Sequence, residues 1–124
     1  MTDGSRVRSL HRVVFMGSAE LACSGLRALS SDQNFEVLAV VTQPDRPKGR
    51  DLKLSPSPVK ACALEAKLPV LQPERARDET FIAELRRLAP DIIVVVAYGQ
   101  ILPRAILEVP KYGCLNVHTS LLPK

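Results

Sequence analysis

A strand-like segment late in the sequence carries two polar side chains that could do chemistry together. Asn116 and His118 are two positions apart, and residues i and i+2 of a strand point to the same face. An asparagine amide can stabilise a developing oxyanion, and a histidine titrates near neutral pH and can take or give a proton. The pair predicts a catalytic site, with a polar pair bonded to local backbone as the alternative.

The elements that would position this pair alternate between strand and helix. Apolar runs predict strands over 12–16, 36–42, 68–71, 91–97 and 114–118, and amphipathic patterns predict helices between them. Strands that alternate with helices form right-handed βαβ units. We therefore expect an α/β fold, with a Rossmann-like open parallel sheet flanked by helices.

One rim of this sheet is expected to collect the candidate groups. Ligands of open parallel sheets bind beyond the carboxyl ends of the strands. Gly17, Thr42, residues 98–102 and residues 116–123 all follow predicted strands or end them. The single Gly17 lacks the glycine-rich pattern of a dinucleotide or nucleotide triphosphate site. The second strand also ends in Thr42 and Gln43 instead of an acid, which argues against NAD.

Length and composition limit the class of protein. A chain of 124 residues with 46% hydrophobic and 24% charged residues is typical of about one soluble globular domain. No apolar run is long enough to span a bilayer, so no membrane partner is expected. Cys23, Cys62 and Cys114 form no C-x-x-C pair. They favour reduced, mostly buried thiols over a disulfide framework or a zinc site.

The first eleven residues are expected to form a disordered leader ahead of one domain over 12–124. They carry Arg6 and Arg8 but no apolar core of a secretory signal. A cytoplasmic location is expected on this ground. A weak organellar transit signal stays open as an alternative.

A proline-rich loop concentrates positive charge. Residues 43–58 contain four prolines and a glycine and are expected to lack regular structure. Five basic residues and only two acidic ones lie over 45–60. Spaced basic side chains on a loop could contact nucleic-acid phosphates without reading sequence, and such binding would weaken with salt. A solvated surface segment is the alternative.

The segment after the strongest predicted strand offers a second binding element. In Tyr98-Gly99-Gln100-Ile101-Leu102, exposed backbone groups could bind the edge of a flat heterocycle over apolar side chains. The alternative is a plain strand-to-helix turn in which Gly99 supplies a positive φ.

Taken together, these segments resemble the N-terminal domain of the methionyl-tRNA formyltransferases. The resemblance runs in order from about residue 12. The matching stretches are residues 14–17, 40–47, 49–50, 54–60, 69–73, 94–103, 116–118 and 120–123. Asn116-Val117-His118 with Ser120-Leu121-Leu122-Pro123 is shared by the wider group that uses 10-formyltetrahydrofolate, including glycinamide ribonucleotide formyltransferase. The Gln-Pro-Asp-Arg-Pro loop points more narrowly to the tRNA enzyme.

The resemblance implies transfer of a formyl group from 10-formyltetrahydrofolate to the methionyl α-amine of initiator methionyl-tRNA, with no metal. It implies Asn116 and His118 as the catalytic pair. The folate would contact Tyr98, Gly99, Gln100, Ile101, Leu102, Ser120, Leu121, Leu122 and Pro123. The tRNA acceptor end would contact Arg46, Lys48, Arg50 and Lys53.

The resemblance also implies that the chain is a truncated formyltransferase N-terminal domain. The family's catalytic aspartate, the rest of its sheet and its tRNA-binding barrel correspond to positions beyond Lys124. We therefore expect little or no transferase activity from the 124-residue chain alone. A full-length relative is expected to be monomeric, whereas an unpaired strand edge would favour self-association of the fragment.

Two other functions stay open on the sequence. One is another formyltransferase, or a hydrolase, that uses 10-formyltetrahydrofolate. The other is a noncatalytic fragment that binds folate or a protein partner.

Overall fold

A computed structural model describes residues 10–50 and 53–117 of the chain. Alternating strands and helices fill these ranges, as the sequence predicts. The strands are β1 (His11–Gly17), β2 (Phe35–Val41), β3 (Arg46–Lys48), β4 (Lys53–Ser55), β5 (Val70–Leu71), β6 (Ile92–Val96) and β7 (Cys114–Val117). The helices are α1 (Ala22–Ser31), α2 (Pro58–Glu65), α3 (Glu79–Leu88) and α4 (Arg104–Leu107).

Five strands form one sheet in the order β5-β2-β1-β6-β7. Every neighbouring pair in it is parallel. The chain runs outward from β1 to β2 and β5, then returns to the other side of β1 for β6 and β7. The strand order therefore reverses between β1 and β6, which is where ligands bind in such folds. The Rossmann-like open parallel sheet is confirmed.

Both faces of the central strand are covered by helices. Val14 and Met16 pack with residues of α3 and α4, including Leu85 and Ile106. Phe15 points the other way and packs with residues of α1 and α2. Each of these five side chains is at most 1% exposed. Burial on both faces explains why β1 is continuously apolar rather than alternating.

The end of β1 approaches β6 too closely for a side chain. A Cβ on Gly17 would lie 2.7 Å from the carbonyl oxygen of Val96 and 3.0 Å from Ala22 Cβ. Just beyond, the backbone N–H groups of Ser18 and Ala19 donate to the Ala97 carbonyl at 3.1 and 3.4 Å. Glycine at position 17 thus allows the loops after β1 and β6 to meet.

The expectation of an irregular basic loop is wrong in its middle part. β3 and β4 form an antiparallel hairpin in which Arg46 pairs with Ser55 and Pro47 with Leu54. The turn uses Gly49, whose φ of 77° favours glycine. Proline is tolerated because a two-stranded ribbon leaves each strand with an unpaired edge.

Helix α2 begins as the sequence predicts. Ser57 precedes Pro58, and Ser57 Oγ accepts a hydrogen bond from the Lys60 N–H at 3.0 Å. Proline at the first helical position has no N–H to leave unsatisfied. Cys62 of this helix and Cys23 of α1 are buried side by side. Burial, with Cys62 next to it, raises the pKa of the Cys23 thiol.

The remaining strand boundaries differ from the predictions by one or two residues at most ends. β1 begins at His11, whose ring centroid lies 5.7 Å from that of Phe35. Residues 1–9 are outside the described residues. None of the described helices is long and apolar enough to cross a membrane.

One face of β6 and β7 is apolar and partly open. Leu115 is 57% and Val117 38% exposed. With Val94, Val96 and residues of α1 they line a cavity of about 350 Å³. Self-association of the 124-residue chain stays a prediction that this apolar surface supports.

Tyr98 points into the core beneath α3 and α4. It is 2% exposed and packs with Phe81, Leu85 and Ile106. Its hydroxyl has no hydrogen-bond partner among the described residues. Burial raises the pKa of Tyr98 to about 12. Among the described residues, the Tyr98 hydroxyl is therefore a buried polar group without a compensating hydrogen bond.

We predict opposite effects for alanine at two glycines. Gly17→Ala should lower the free energy of unfolding by about 1–3 kcal/mol, because the new methyl group overlaps the Val96 carbonyl. Gly25→Ala should raise it by about 0.5–1 kcal/mol, since a helix interior favours alanine and the nearest atom, Phe15 Cε1, is 3.8 Å away. Urea unfolding measures both. A Gly17→Ala chain as stable as the parent would contradict the close approach.

Removing the Tyr98 hydroxyl should cost no stability at neutral pH. Tyr98→Phe should leave the free energy of unfolding unchanged or raise it by up to about 1 kcal/mol, because no bond is lost. Above pH 10 the parent should lose stability up to about pH 12, since the unfolded chain releases a proton that the folded chain keeps. This alkaline loss should shrink in the variant. Urea titrations from pH 7 to 11.5 test both, and a destabilised variant at pH 7 would show that the hydroxyl has a partner.

Candidate functional site

The loops that follow the strands meet at one rim of the sheet. All five strands of the sheet are parallel, so their carboxyl ends share this rim. Ser18 follows β1, Gln43 follows β2, Gln72 follows β5 and Gln100 follows β6. Asn116 lies in β7 opposite Val95. The rim that the sequence predicts therefore exists in the described residues.

Three hydroxyl groups join the first two strands to α2. Thr42 is fully buried, at 0% exposure. Its Oγ1 donates to Ser18 Oγ at 3.3 Å and lies 2.6 Å from Ser57 Oγ. A buried hydroxyl needs such partners, because an unpaired one costs free energy. These bonds fix the amino end of α2 against the rim.

Gln43 extends this set toward β6. Its backbone N–H donates to Ser18 Oγ at 3.1 Å, and its Nε2 donates to the Tyr98 carbonyl at 3.0 Å. Its Oε1 accepts from Gln100 Nε2 at 3.1 Å and from an Arg46 guanidinium N–H at 3.0 Å. The loops after β1, β2 and β6 and the hairpin are therefore joined by one residue.

Gln100 joins the same loops to the segment before α3. Its Nε2 also donates to the Glu74 carbonyl at 3.2 Å, and its Oε1 accepts from the Ala76 N–H at 2.8 Å. Gly99 beside it has a φ of 97°. A positive φ at Gly99 is what the strand-to-helix turn, the alternative reading of this segment, required. The side chain of Gln100 holds the loop instead of pointing freely into solvent.

A cavity of about 410 Å³ opens at the ends of β6 and β7. Asn116 lines one side of it, and Gly99, Gln100 and Ile101 line another. Ile101 is 95% exposed. An exposed apolar side chain beside backbone groups of the same loop suits a flat, partly polar ligand. The structure thus brings the predicted asparagine and the predicted binding loop to one cavity.

Two residues of the predicted binding loop, Tyr98 and Leu102, direct their side chains toward the core. The ring of Tyr98 lies in the core, so only its backbone reaches the rim. Leu102 packs against the same core. Any contact of Tyr98 with a ligand is therefore made through its main chain. The sequence pattern could not show whether a residue of this loop would meet a ligand with its side chain or with its main chain.

Part of the predicted site lies outside the described residues. This holds for His118 and for Ser120, Leu121, Leu122 and Pro123. Their assigned roles stay predictions.

Three of the predicted RNA-binding side chains are exposed on or beside the hairpin. Arg46 and Lys53 lie on the hairpin and Arg50 at its turn, and all three are exposed. Lys48 lies on β3. Arg46 also lines an open cleft of about 770 Å³ with Arg75 and Arg77. The ion pairs between described residues join Lys60 to Asp45, Arg87 to Glu84 and Arg104 to Glu108, so none includes these arginines.

The base of the hairpin is held by a mixed polar cluster. Asp45 accepts from Gln72 Nε2 at 2.9 Å and from Lys60 Nζ at 3.1 Å. The bond from Gln72, followed by that from Lys60, holds the pKa of Asp45 below its ordinary value. Lys60 is thereby engaged in structure, whereas Arg46, Arg50 and Lys53 remain exposed to a ligand.

Sequence reasoning missed several rim residues. Gln43, Gln72 and Ser18 were not assigned a role, and neither were Arg75 and Arg77. Polar residues directly after three apolar strands were a usable signal for the first three, because parallel strands end at one rim. The arginines had no such signal, since their loop leaves the sheet. Among the described residues, no group of three His, Cys, Asp or Glu side chains could hold a metal ion.

Curated relatives share most of this sequence. A methionyl-tRNA formyltransferase of Geobacter sulfurreducens is 59% identical over 113 residues, which are 91% of this chain and 35% of that protein. One of Clostridioides difficile is 58% identical over 91% of this chain and 36% of its own length. The chain thus spans about a third of the length of these relatives.

Solved structures share the fold. Glycinamide ribonucleotide transformylase 1 of Geobacillus kaustophilus superposes with a TM-score of 0.66 at 21% identity, over 93% of this chain and 61% of that one. At this identity the likeness concerns the fold alone. A family profile described as formyl transferase matches residues 11–124, nearly the whole sequence. The chain therefore belongs to the formyl transferase family.

Proposed function

We propose that this chain carries the folate side of a site that transfers a formyl group from 10-formyltetrahydrofolate to the α-amine of methionyl-tRNA. The cavity shared by Asn116 and the loop over 98–101 carries this proposal. It lies at the carboxyl ends of β6 and β7, where the family's fold places ligands. The identity of 58–59% to methionyl-tRNA formyltransferases supports the choice of acceptor.

The loop after β6 suits the donor. The pyrimidine ring of a reduced pterin is flat and carries hydrogen-bonding groups along its edge. The backbone groups of Gly99 and Gln100 can meet such an edge, and the exposed Ile101 side chain offers an apolar contact. The side chains of Gln43 and Gln100 hold this backbone in place. Folate binding therefore requires little further ordering of the loop.

The transfer requires an oxyanion donor and a route for a proton. The amine nitrogen attacks the formyl carbon and forms a tetrahedral intermediate with a negative oxygen. The carbon–N10 bond then breaks, N10 accepts a proton, and the attacking nitrogen loses one. Asn116 is proposed to donate its amide N–H to the negative oxygen, and His118 to handle the proton.

The basic surface suits the RNA. Arg46, Arg50 and Lys53 are exposed on or beside the hairpin. Arg46 lines the cleft that shares Gly99, Gln100 and Ile101 with the cavity proposed for the reacting carbon. Phosphate contacts of this kind fix the position of a nucleic acid without reading its bases. Arg75 and Arg77 extend the positive surface along the cleft.

Replacing Asn116 tests the catalytic assignment. The assay uses a chimera in which residues 11–124 replace the matching third of a full-length relative. Asn116→Ala should lower kcat for formylation by about 100-fold or more, because an oxyanion donor is lost. The dissociation constant for 5-formyltetrahydrofolate should change by less than about threefold, since the backbone of the β6–α4 loop makes the proposed folate contacts.

Asn34→Ala is the matched control, because Asn34 is exposed in the turn before β2, at the other end of the sheet. It should leave kcat unchanged. If Asn116→Ala kept the parent's turnover, the oxyanion role would be excluded. The unmodified 124-residue chain is expected to show little or no turnover in the same assay.

Charge reversal on the hairpin tests the RNA assignment. Arg46→Glu combined with Arg50→Glu should weaken methionyl-tRNA binding at least about tenfold and lower the slope of log K against log salt by about one to two. The dissociation constant for 5-formyltetrahydrofolate should change much less. Filter binding at several salt concentrations measures the first quantity, and calorimetry the second.

Arg27→Glu supplies a charge-matched control on α1, away from the rim. It should change neither affinity. Equal loss of RNA and folate binding in the hairpin variant would indicate misfolding. Salt-independent RNA binding by the parent would favour another acceptor of the formyl group, such as a nucleotide or sugar.

A further inference from the structure

Gln43 occupies the centre of the rim although it belongs to neither predicted contact set. It lies two residues beyond the end of β2, after Thr42. Its backbone N–H donates to Ser18 Oγ at 3.1 Å, and its backbone carbonyl accepts from Gln72 Nε2 at 3.2 Å. Hydrogen bonds of the Gln43 main chain thus hold this residue to the loops after β1 and β5. Its side chain is left to reach the loop after β6.

The side-chain amide of Gln43 satisfies its hydrogen-bond partners in one orientation. Its Nε2 donates to the Tyr98 carbonyl at 3.0 Å, while its Oε1 accepts from Gln100 Nε2 at 3.1 Å. A donor group and an acceptor atom on one side chain are both required here. A carboxylate of the same size has no donor, so one of its oxygens would face the Tyr98 carbonyl with repulsion.

These two bonds hold the loop on either side of Gly99. Gly99 has a φ of 97°, and a Cβ there would lie 3.2 Å from Gln43 Nε2. The loop is thus pressed against the glutamine amide, with one bond to the residue before the glycine and one to the residue after it. No other described side chain contacts both Tyr98 and Gln100 by hydrogen bonds.

The same oxygen also receives a donor from the hairpin. An Arg46 guanidinium N–H donates to Gln43 Oε1 at 3.0 Å. One atom, Gln43 Oε1, therefore bonds to both the loop expected to bind folate and the hairpin expected to contact RNA. Their relative position depends on the orientation of this amide.

We propose that Gln43 is a positioning residue, which rests on the proposed function: its amide holds the loop over 98–101 in the conformation that receives folate and aligns that loop with Arg46. It touches neither the formyl group nor the amine. Its effect is to reduce the ordering that ligand binding would otherwise require.

Gln43→Glu in the 124-residue chain tests the proposal, because it preserves size and removes the donor. Amide hydrogen exchange at Ala76, whose N–H donates to Gln100 Oε1 at 2.8 Å, should be at least about fivefold faster than in the parent, since the loop that carries Gln100 loses a bond and gains a repulsion. The amides of β1 and β2 should be unchanged. Gln33→Glu, an exposed change of the same kind before β2, should have no effect.

The pH dependence separates positioning from general damage. A protonated glutamate again has one donor and one acceptor. The ratio of variant to parent exchange at Ala76 should therefore fall toward one as the pH drops below the pKa of the new glutamate, which is ordinarily about 4.3 and is lowered here by the Arg46 guanidinium that bonds to this position. A ratio that is constant with pH, or exchange within twofold of the parent at neutral pH, would overturn the proposal.

Folate binding gives the second measurement. Gln43→Glu should raise the dissociation constant for 5-formyltetrahydrofolate at neutral pH about tenfold or more, through the loss of a pre-ordered loop, and Gln33→Glu should not. Faster exchange with unchanged affinity would overturn the link to folate. If the parent chain bound no folate, the proposed function would fail, while hydrogen exchange would still decide whether Gln43 holds the loop.

Discussion

The close approach of β1 and β6 is the constraint on which the rest of the structure depends. A Cβ on Gly17 would lie 2.7 Å from the Val96 carbonyl, so these strand ends can meet only with glycine there. Their meeting lets Ser18 and Ala19 bond to Ala97. The contact lies where the strand order reverses, and the candidate cavity opens at the ends of β6 and β7.

Hydrogen bonds between polar side chains then join the loops at this rim into one surface. Ser18, Thr42 and Ser57 join through hydroxyl groups, and Gln43 and Gln100 join through amides. These groups are uncharged, so their mutual bonds need no burial of net charge. The charged residues lie further out, where the hairpin faces solvent. Fixed neutral groups near the cavity and exposed positive groups around it suit a small heterocyclic ligand and a large anionic one.

Much of the fold could be predicted because it depends on local patterns. Continuous apolar runs located β1, β2 and β6, and Ser57 before Pro58 located α2. The hairpin was missed because prolines dominate its composition, whereas its pairing depends on register. At the rim, the pattern identified Asn116 and the segment from Tyr98 but could not show that the tyrosine ring turns inward. The bond between Gln43 and Gln100 joins positions 57 apart, which no local pattern reveals.

The position of β1 between β2 and β6 has a consequence for folding. β2 follows it closely in sequence, but the contact of Arg12 with Asp91 spans 79 positions. Contacts of such separation form late, because a long loop must be closed before they stabilise anything. Folding of the sheet can therefore start with β1 and β2. The cavity forms only when β6 and β7 have joined the sheet. In a chain made from its amino end, the cavity can form only after β7, which ends at Val117, has been synthesised.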